Sequence, residues 1–233
     1  MPLRRPRLIT FDAFGTLFRA EDVASEEVMG AIVARNELGM QPGELARLWW
    51  DRSYQIAFED FVTVREATEM ALTSILLEMG VVDDAGAHTR RLLEGWAATE
   101  PYPETEEVLA ALEGFELGIV SNIDVDILES LLRRSRLGPR FAVVMTSEER
   151  RAYKPDPSPF QEALRQAGCR PGEAIHLGDS PREDVLGATR AGMMAGWIRR
   201  REAGLPEGVP EPAFTARDLR EAAELILASK PGT

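Results

Sequence analysis

The sequence predicts an α/β protein in which a parallel sheet carries helices on both faces and a helical domain is inserted near the N-terminus. Short apolar runs alternate with segments of helical periodicity, and the runs are continuous, as in strands that are buried on both faces. About a hundred residues separate the first run from the second. A plain crossover helix needs only ~10–15 residues, so this stretch should form a domain of its own.

Five apolar runs are predicted as strands of this sheet, with a weaker sixth near the C-terminus. They cover residues 8–11, 115–120, 141–145, 174–177 and 194–198, and the weaker run covers 213–215. The stretch 204–212 is rich in Gly and Pro and predicts a surface loop before a last strand and helix.

Helical patterns fill the long stretch between the first two strands. Residues 24–36, 42–59 and 84–99 are predicted helices, and Thr63 with Glu66 forms a capping box ahead of a fourth. Prolines at 101 and 103 then stop any helix and return the chain to the sheet. We therefore predict a helical cap domain over residues 19–96 and a core made of residues 1–18 and 97–233.

Composition limits the possible partners. The chain has 233 residues, a formal net charge of −12 and 44% hydrophobic residues, which is an ordinary globular balance. Binding to nucleic acid or to an anionic membrane needs a basic surface, so neither is an expected partner. No apolar run approaches the ~20 residues of a membrane span or the length of a signal peptide, which predicts a cytoplasmic protein. A single cysteine excludes a Cys-based metal cluster.

Polar residues at four strand ends are the candidates for chemistry, because ligands of open α/β sheets bind at the carboxyl ends of the strands. Asp12 directly follows the first strand, and Gly15 permits a tight turn with exposed backbone. Such a carboxylate can act as a nucleophile towards a phosphoryl or alkyl centre, or it can simply cap the turn. Ser121 and Asn122 follow the second strand, where they can hold an anion or form a local turn.

The third candidate is Lys154, which is followed by two prolines at 155 and 157. Lys154 and Lys230 are the only lysines among 27 basic residues, so an ammonium at position 154 indicates a function that a guanidinium does not serve. Neutralising a nucleophilic carboxylate together with a substrate anion would be such a function. The alternative is a solvated surface lysine.

The fourth strand end carries Asp179 and, five residues later, Asp184. Between them, Ser180 and Glu183 have capping-box spacing and start a helix. If Asp12 and Asp179 converge, the two carboxylates must share a proton or bind a cation, and Mg²⁺ suits their oxygen ligands best. Asp184 would then fix a metal-bound water or the lysine of the third strand end.

Together these motifs resemble the haloacid dehalogenase-like hydrolase superfamily, in the subfamily with a helical cap inserted after the first motif. The resemblance covers essentially the whole chain and implies a Rossmann-like core whose first strand lies between the second and the fourth-motif strands. It implies the following roles: Asp12 as nucleophile, Ser121 and Lys154 as further catalytic residues, Gly15, Thr16, Ser121, Asn122 and Lys154 as phosphate-binding residues, and Asp12, the backbone carbonyl of Phe14 and Asp179 as Mg²⁺ ligands.

Phe14 is the clear departure from the phosphatases of that superfamily, which usually have a second Asp there as general acid and base. An aromatic residue at this position is familiar in the family's 2-haloacid dehalogenases, which need neither a proton donor for halide nor a metal. Those enzymes have a small polar residue in place of Asp179, however. They also hold the substrate carboxylate with an arginine where this chain has Trp50, although Arg47 or Arg52 can substitute from another turn.

Three interpretations therefore remain open. The first is a Mg²⁺-dependent phosphatase that acts on a small phosphorylated metabolite through an aspartyl-phosphate intermediate. The second is a metal-independent 2-haloacid dehalogenase. The third is a catalytically inactive scaffold that binds a phosphorylated ligand or a protein, with Trp49 and Trp50 as a candidate apolar patch, although packing between cap and core is the expected role of at least one of them. His176, inside a strand, is predicted to be a core residue, and the oligomeric state is left open.

Overall fold

The computed structural model describes residues 3–20 and 23–229. Within these ranges, six parallel strands form one sheet in the order β3-β2-β1-β4-β5-β6. The strands are β1 Leu8–Phe11, β2 Glu116–Ser121, β3 Val143–Thr146, β4 Ala174–Gly178, β5 Met194–Ile198 and β6 Phe214–Ala216. All six predicted strands are confirmed, and their ends differ from the predicted ones by two residues or fewer.

Ten α-helices accompany the strands in the described ranges. They are α1 Val23–Arg35, α2 Pro42–Glu59, α3 Val64–Glu78, α4 Ala85–Ala97, α5 Thr105–Ala111, α6 Val125–Ser135, α7 Ser147–Arg150, α8 Ser158–Gln166, α9 Leu186–Arg190 and α10 Leu219–Leu227. Between β4 and α9 the chain makes a π-helical turn, Pro181–Val185. Across the same ranges, no helix combines the length and the hydropathy that crossing a membrane requires.

The chain divides into two compact units. The sheet unit comprises Met1–Ala20, Glu100–Asn122 and Ser135–Thr233, and the helical unit comprises Glu21–Thr99 and Ile123–Arg134. The helical unit thus covers residues 21–96 of the predicted cap, residues 97–99 and, in addition, most of α6, which was predicted to belong to the core. Asp124 explains this difference, because its carboxylate accepts the backbone N–H groups of Val64 and Arg65, at 2.8 and 2.9 Å, at the start of α3. Sequence patterns do not show such a long-range helix cap.

The helical unit has its own apolar core, formed by α1 to α4. Trp49 is 1% exposed and lies in this core, with its ring 5.9 Å from that of Trp96, whereas Trp50 is 55% exposed. Of the two tryptophans of the candidate patch, only Trp50 is therefore exposed, and Trp49 has a packing role, as expected for at least one of them, inside the helical unit. The indole of Trp49 lies on the same face of α2 as the buried Leu45, one turn earlier.

The sheet unit places β1 at its centre. Phe11 lies opposite Ile119 of β2 and Leu177 of β4, and all four residues of β1 are buried. Because the strands are parallel, their carboxyl ends lie at one edge of the sheet. The residues that follow β1, β2 and β4 are therefore neighbours although they are far apart in the chain.

Candidate active site

The central feature of this edge is the buried ammonium of Lys154. Its Nζ lies 2.6 Å from Asp12 Oδ1 and 2.5 Å from Asp184 Oδ1, and it also donates to the carbonyl oxygen of Val120 at 3.1 Å. All three donors are therefore used inside the protein, and the residue is 1% exposed. Burial opposes the charged form, but the Asp12 and Asp184 carboxylates outweigh it and raise the pKa of Lys154. Lys154 is thus a fixed cation and not the alternative solvated lysine.

Asn122 holds the backbone of Lys154 in place. Its Oδ1 accepts the Lys154 N–H at 2.7 Å, and its Nδ2 donates to the Lys154 carbonyl at 3.1 Å and to Glu183 Oε2 at 2.9 Å. Both side-chain N–H donors are therefore already engaged within the protein. A contact between Asn122 and phosphate stays a prediction.

Three carboxylates form an acidic cluster around this lysine. Asp12, Asp179 and Asp184 each place one carboxylate oxygen within 4.8 Å of the others. Burial, followed by the negative charges of Asp12 and Asp184, raises the pKa of Asp179 to about 8. Burial also raises the pKa of Asp12, whereas Lys154 and His176 together outweigh burial and lower the pKa of Asp184. With all three acids ionised, one ammonium leaves two negative charges without a counter-charge.

Two glycines allow this packing of acids against backbone. Gly15 has φ +80°, and a Cβ there would overlap the Asp179 carboxylate. A Cβ at Gly178 would overlap the Asp184 carboxylate. Glycine is required at both positions because each carboxylate occupies the space that a side chain on the glycine would fill, and Gly15 also adopts a conformation that L-residues rarely take.

Asp184 is fixed from two further directions. Its Oδ2 accepts the Ser180 N–H at 2.9 Å, and its Oδ1 lies 3.1 Å from Nε2 of His176. Of the two roles predicted for Asp184, the structure shows the contact with Lys154. Both oxygens of Asp184 already accept hydrogen bonds within the protein.

His176 is fully buried, as predicted for a core residue, but it also belongs to this polar network. Nδ1 lies 2.9 Å from the Thr10 hydroxyl, which is opposite His176 in the β1–β4 register. Burial lowers the pKa of His176, and a neutral ring with its proton on Nε2 would donate to Asp184 and accept from Thr10 at Nδ1. The sequence carries a signal for this network, because Thr10 and His176 are polar residues inside two adjacent apolar strands.

The predicted capping box at Ser180 is only half formed. The Ser180 hydroxyl accepts the Glu183 N–H at 3.3 Å, but the Glu183 carboxylate turns to Asn122 and leaves the Ser180 N–H to Asp184. Glu183 is therefore part of the site and not only a helix start. Burial raises its pKa to about 7, against the opposing effect of Lys154.

The remaining predicted phosphate contacts stay predictions. The Gly15 N–H donates to the Phe18 carbonyl at 2.8 Å within its own turn. Thr16 is fully buried, and none of the described residues forms a hydrogen bond with its hydroxyl. Ser121 is 3% exposed at the end of β2. Phe14 lies two residues after Asp12, and its side chain carries no group that can transfer a proton.

Comparisons with known proteins place this site in a family. Residues 6–192 match the model of the haloacid dehalogenase-like hydrolases. The chain is 26% identical to the (S)-2-haloacid dehalogenase of Pseudomonas putida over 95% of this chain and 96% of that protein. It is 30% identical to the glyceraldehyde 3-phosphate phosphatase of Methanopyrus kandleri over 83% of this chain and 84% of that protein. The crystal structure of 2-haloacid dehalogenase from Pseudomonas syringae superposes with a TM-score of 0.71 at 28% identity. The match covers 95% of this chain and 98% of that chain. The chain is a member of the haloacid dehalogenase-like hydrolase family.

Proposed function

We propose that this hydrolase is a Mg²⁺-dependent phosphatase, in which Asp12 takes the phosphoryl group from a small phosphorylated metabolite. The observation that carries the proposal is the cluster of three carboxylates, two of them buried, beside one buried ammonium. A metal-independent reaction gives no reason to hold Asp179 beside Asp12, where the charge of Asp12 helps to raise the Asp179 pKa to about 8. A hard divalent cation does give a reason, since carboxylate oxygens are its preferred ligands.

The donor set fits Mg²⁺. Asp12, Asp179 and the backbone carbonyl of Phe14 are the proposed ligands, while Asp184 is already engaged by Lys154, His176 and Ser180. When bound, the ion would neutralise the excess carboxylate charge and polarise the phosphoryl oxygens. A phosphate dianion could then approach Asp12 without the repulsion of several kcal/mol that uncompensated carboxylates would cause.

The chain's own residues then divide the work. Lys154 holds Oδ1 of Asp12 at 2.6 Å, which orients the other oxygen as the attacking atom. That oxygen forms a bond to phosphorus as the bond to the leaving oxygen breaks, and water later cleaves the aspartyl phosphate. Because Phe14 replaces the usual acid, the leaving oxygen must take its proton from water or depart as an anion.

A 2-haloacid dehalogenase is the second candidate, and Phe14 is the observation that favours it. Two relatives that match over nearly the whole chain are named (S)-2-haloacid dehalogenase, and a third is named haloacetate dehalogenase. Of the two arginines suggested to hold the substrate carboxylate, Arg52 already has partners of its own. The guanidinium of Arg52 makes hydrogen bonds to Glu78 at 2.9 and 3.2 Å and to Ser74 at 2.8 Å, so it is occupied within the helical unit.

Mg²⁺ is expected to raise the melting temperature of the wild type but not that of Asp179→Asn. A ~100-fold excess of Mg²⁺ over its dissociation constant should stabilise the wild type by ~2.7 kcal/mol. The affinity should strengthen as pH rises towards about 8, because Asp179 must lose its proton to bind the ion. Calorimetry and melting curves measure both effects, and the exposed Asp51→Asn is the matched control. Absence of Mg²⁺ binding at millimolar concentrations would favour the dehalogenase.

The wild type should cleave acetyl phosphate and nitrophenyl phosphate far faster than a sugar phosphate, because it lacks a general acid at Phe14. Phe14→Asp should accelerate the sugar phosphate by up to ~10²–10⁴-fold, the usual contribution of general acid catalysis, and change the good leaving groups little. Phe14→Leu is the control, since it removes the ring without adding an acid. A wild type that is indifferent to the leaving group, with no selective gain in a folded Phe14→Asp, would contradict this account.

A further inference from the structure

Arg200, two residues beyond the end of β5, makes a set of contacts that the sequence did not indicate. Its Nε donates to the Gly15 carbonyl at 3.0 Å and its Nη2 to the Thr16 carbonyl at 2.9 Å. Its Nη1 pairs with Glu104 at 2.8 Å, and its Cζ lies 3.4 Å from the centre of the Tyr102 ring. The side chain of Arg200 is only 18% exposed, and that of Glu104 only 7%. The guanidinium is thus engaged along its edge and on its face.

These contacts act on the turn that carries the nucleophile. Gly15 and Thr16 lie three and four residues after Asp12 in that turn, and Gly15 is the residue whose backbone lies against the Asp179 carboxylate. The position of the Gly15 carbonyl therefore helps to set how far Asp12 lies from Asp179. Two hydrogen bonds from one planar group fix both the position and the tilt of this turn.

The neighbouring residues secure the same arrangement. Trp197 of β5 donates from Nε1 to the Asp179 carbonyl at 3.0 Å, so the end of β5 also holds the loop that carries Asp179. Where the chain re-enters the sheet unit, the Tyr102 N–H and the Thr105 hydroxyl both donate to the Leu17 carbonyl, at 3.0 and 2.8 Å. Arg200 therefore joins the Asp12 turn, the returning segment and β5.

We propose that Arg200 is a positioning residue that sets the spacing of Asp12 and Asp179, and thereby the affinity of the acidic cluster for a divalent cation and the rate of phosphoryl transfer. The part that concerns the reaction rests on the proposed function, whereas the part that concerns the turn does not. Lysine cannot replace Arg200, because a single ammonium has neither the two-pronged geometry for adjacent carbonyls nor a plane that stacks on Tyr102.

The test compares Arg200→Gln with Arg201→Gln, which removes the same charge from the exposed neighbouring residue. Arg200→Gln should weaken Mg²⁺ binding and lower kcat on nitrophenyl phosphate by ~10–100-fold at saturating Mg²⁺, as expected for a misplaced nucleophile, with KM little changed. Amide hydrogen exchange of residues 11–18 should accelerate. Arg201→Gln should match the wild type in all three measurements, and Arg200→Lys should not restore kcat.

Other outcomes would overturn the proposal. A folded Arg200→Gln with the Mg²⁺ affinity, kcat and exchange rates of Arg201→Gln would show that Arg200 has no effect beyond stability. If Arg200→Gln does not fold, Arg200→Lys, which keeps a charge beside Glu104, serves in the same comparison. If the wild type neither binds Mg²⁺ nor cleaves phosphate esters, the proposed function fails, and hydrogen exchange of residues 11–18 alone decides whether Arg200 positions the turn.

Discussion

Lys154→Met should abolish turnover and lower the free energy of unfolding by roughly 3–5 kcal/mol, the usual result of removing one partner from a buried ion pair. Methionine fills a similar volume, so the loss comes from charge and not from a cavity. Asp12 and Asp184 would keep their burial without the ammonium that lies 2.6 and 2.5 Å away. In the folded state the pKa of Asp12 should rise further and that of Asp184 should rise from its lowered value, so the loss of stability should grow as the pH increases.

Denaturant unfolding of a double variant separates the effect of Lys154 on stability from its effect on turnover. Lys154→Met combined with Asp184→Asn removes one uncompensated carboxylate and should recover part of the lost stability, while activity stays absent. Lys154→Arg keeps the charge but forces a larger planar group into a site with 1% exposure, so its activity should also fail to return. A Lys154→Met protein with wild-type turnover would remove the lysine from the mechanism.

Asp12→Asn should lower turnover by on the order of 10⁴–10⁶-fold, as expected when a nucleophile is removed, and leave the fold intact. Burial raises the pKa of Asp12 in the folded state, so its ionised form lowers stability increasingly as the pH rises above the unfolded value. An amide of the same shape removes that charge. Without Mg²⁺ at neutral pH, Asp12→Asn should therefore unfold at a temperature no lower than the wild type, but Mg²⁺ should no longer stabilise it.

Thermal melting with and without Mg²⁺, run beside the kinetics, checks this expectation. Asp51→Asn again serves as the control, because it removes an exposed carboxylate from the helical unit. Turnover within about tenfold of the wild type in a folded Asp12→Asn would show that another group attacks the substrate.

The sheet and the meeting point of the acids could be predicted because both depend on local patterns. Continuous apolar runs identified β1 and β5 to the residue, and the parallel order of strands then brought Asp12 and Asp179 to one edge. Lys154 stood out because lysine is rare in this chain. A residue that breaks a compositional bias can be recognised without a structure.

The supporting contacts could not be predicted, because each joins residues that are distant in sequence through side-chain geometry. Asn122 was expected to form a local turn or to hold an anion. Its side chain instead forms hydrogen bonds with the Lys154 backbone and with Glu183. Arg200 is one of three consecutive arginines in an arginine-rich chain, so nothing in its pattern distinguished it. Asp124 likewise gave no sign that it caps α3 from 60 residues away.

The most direct test of the phosphatase proposal is the mass of the peptide that contains Asp12 after an acid quench during turnover. With acetyl phosphate and Mg²⁺, the wild type should carry one phosphoryl group on Asp12, and the label should be absent with EDTA or in Asp179→Asn. The same preparation should release no halide from 2-chloropropionate. An unlabelled Asp12 together with halide release that persists in EDTA would contradict the account and identify the reaction as dehalogenation.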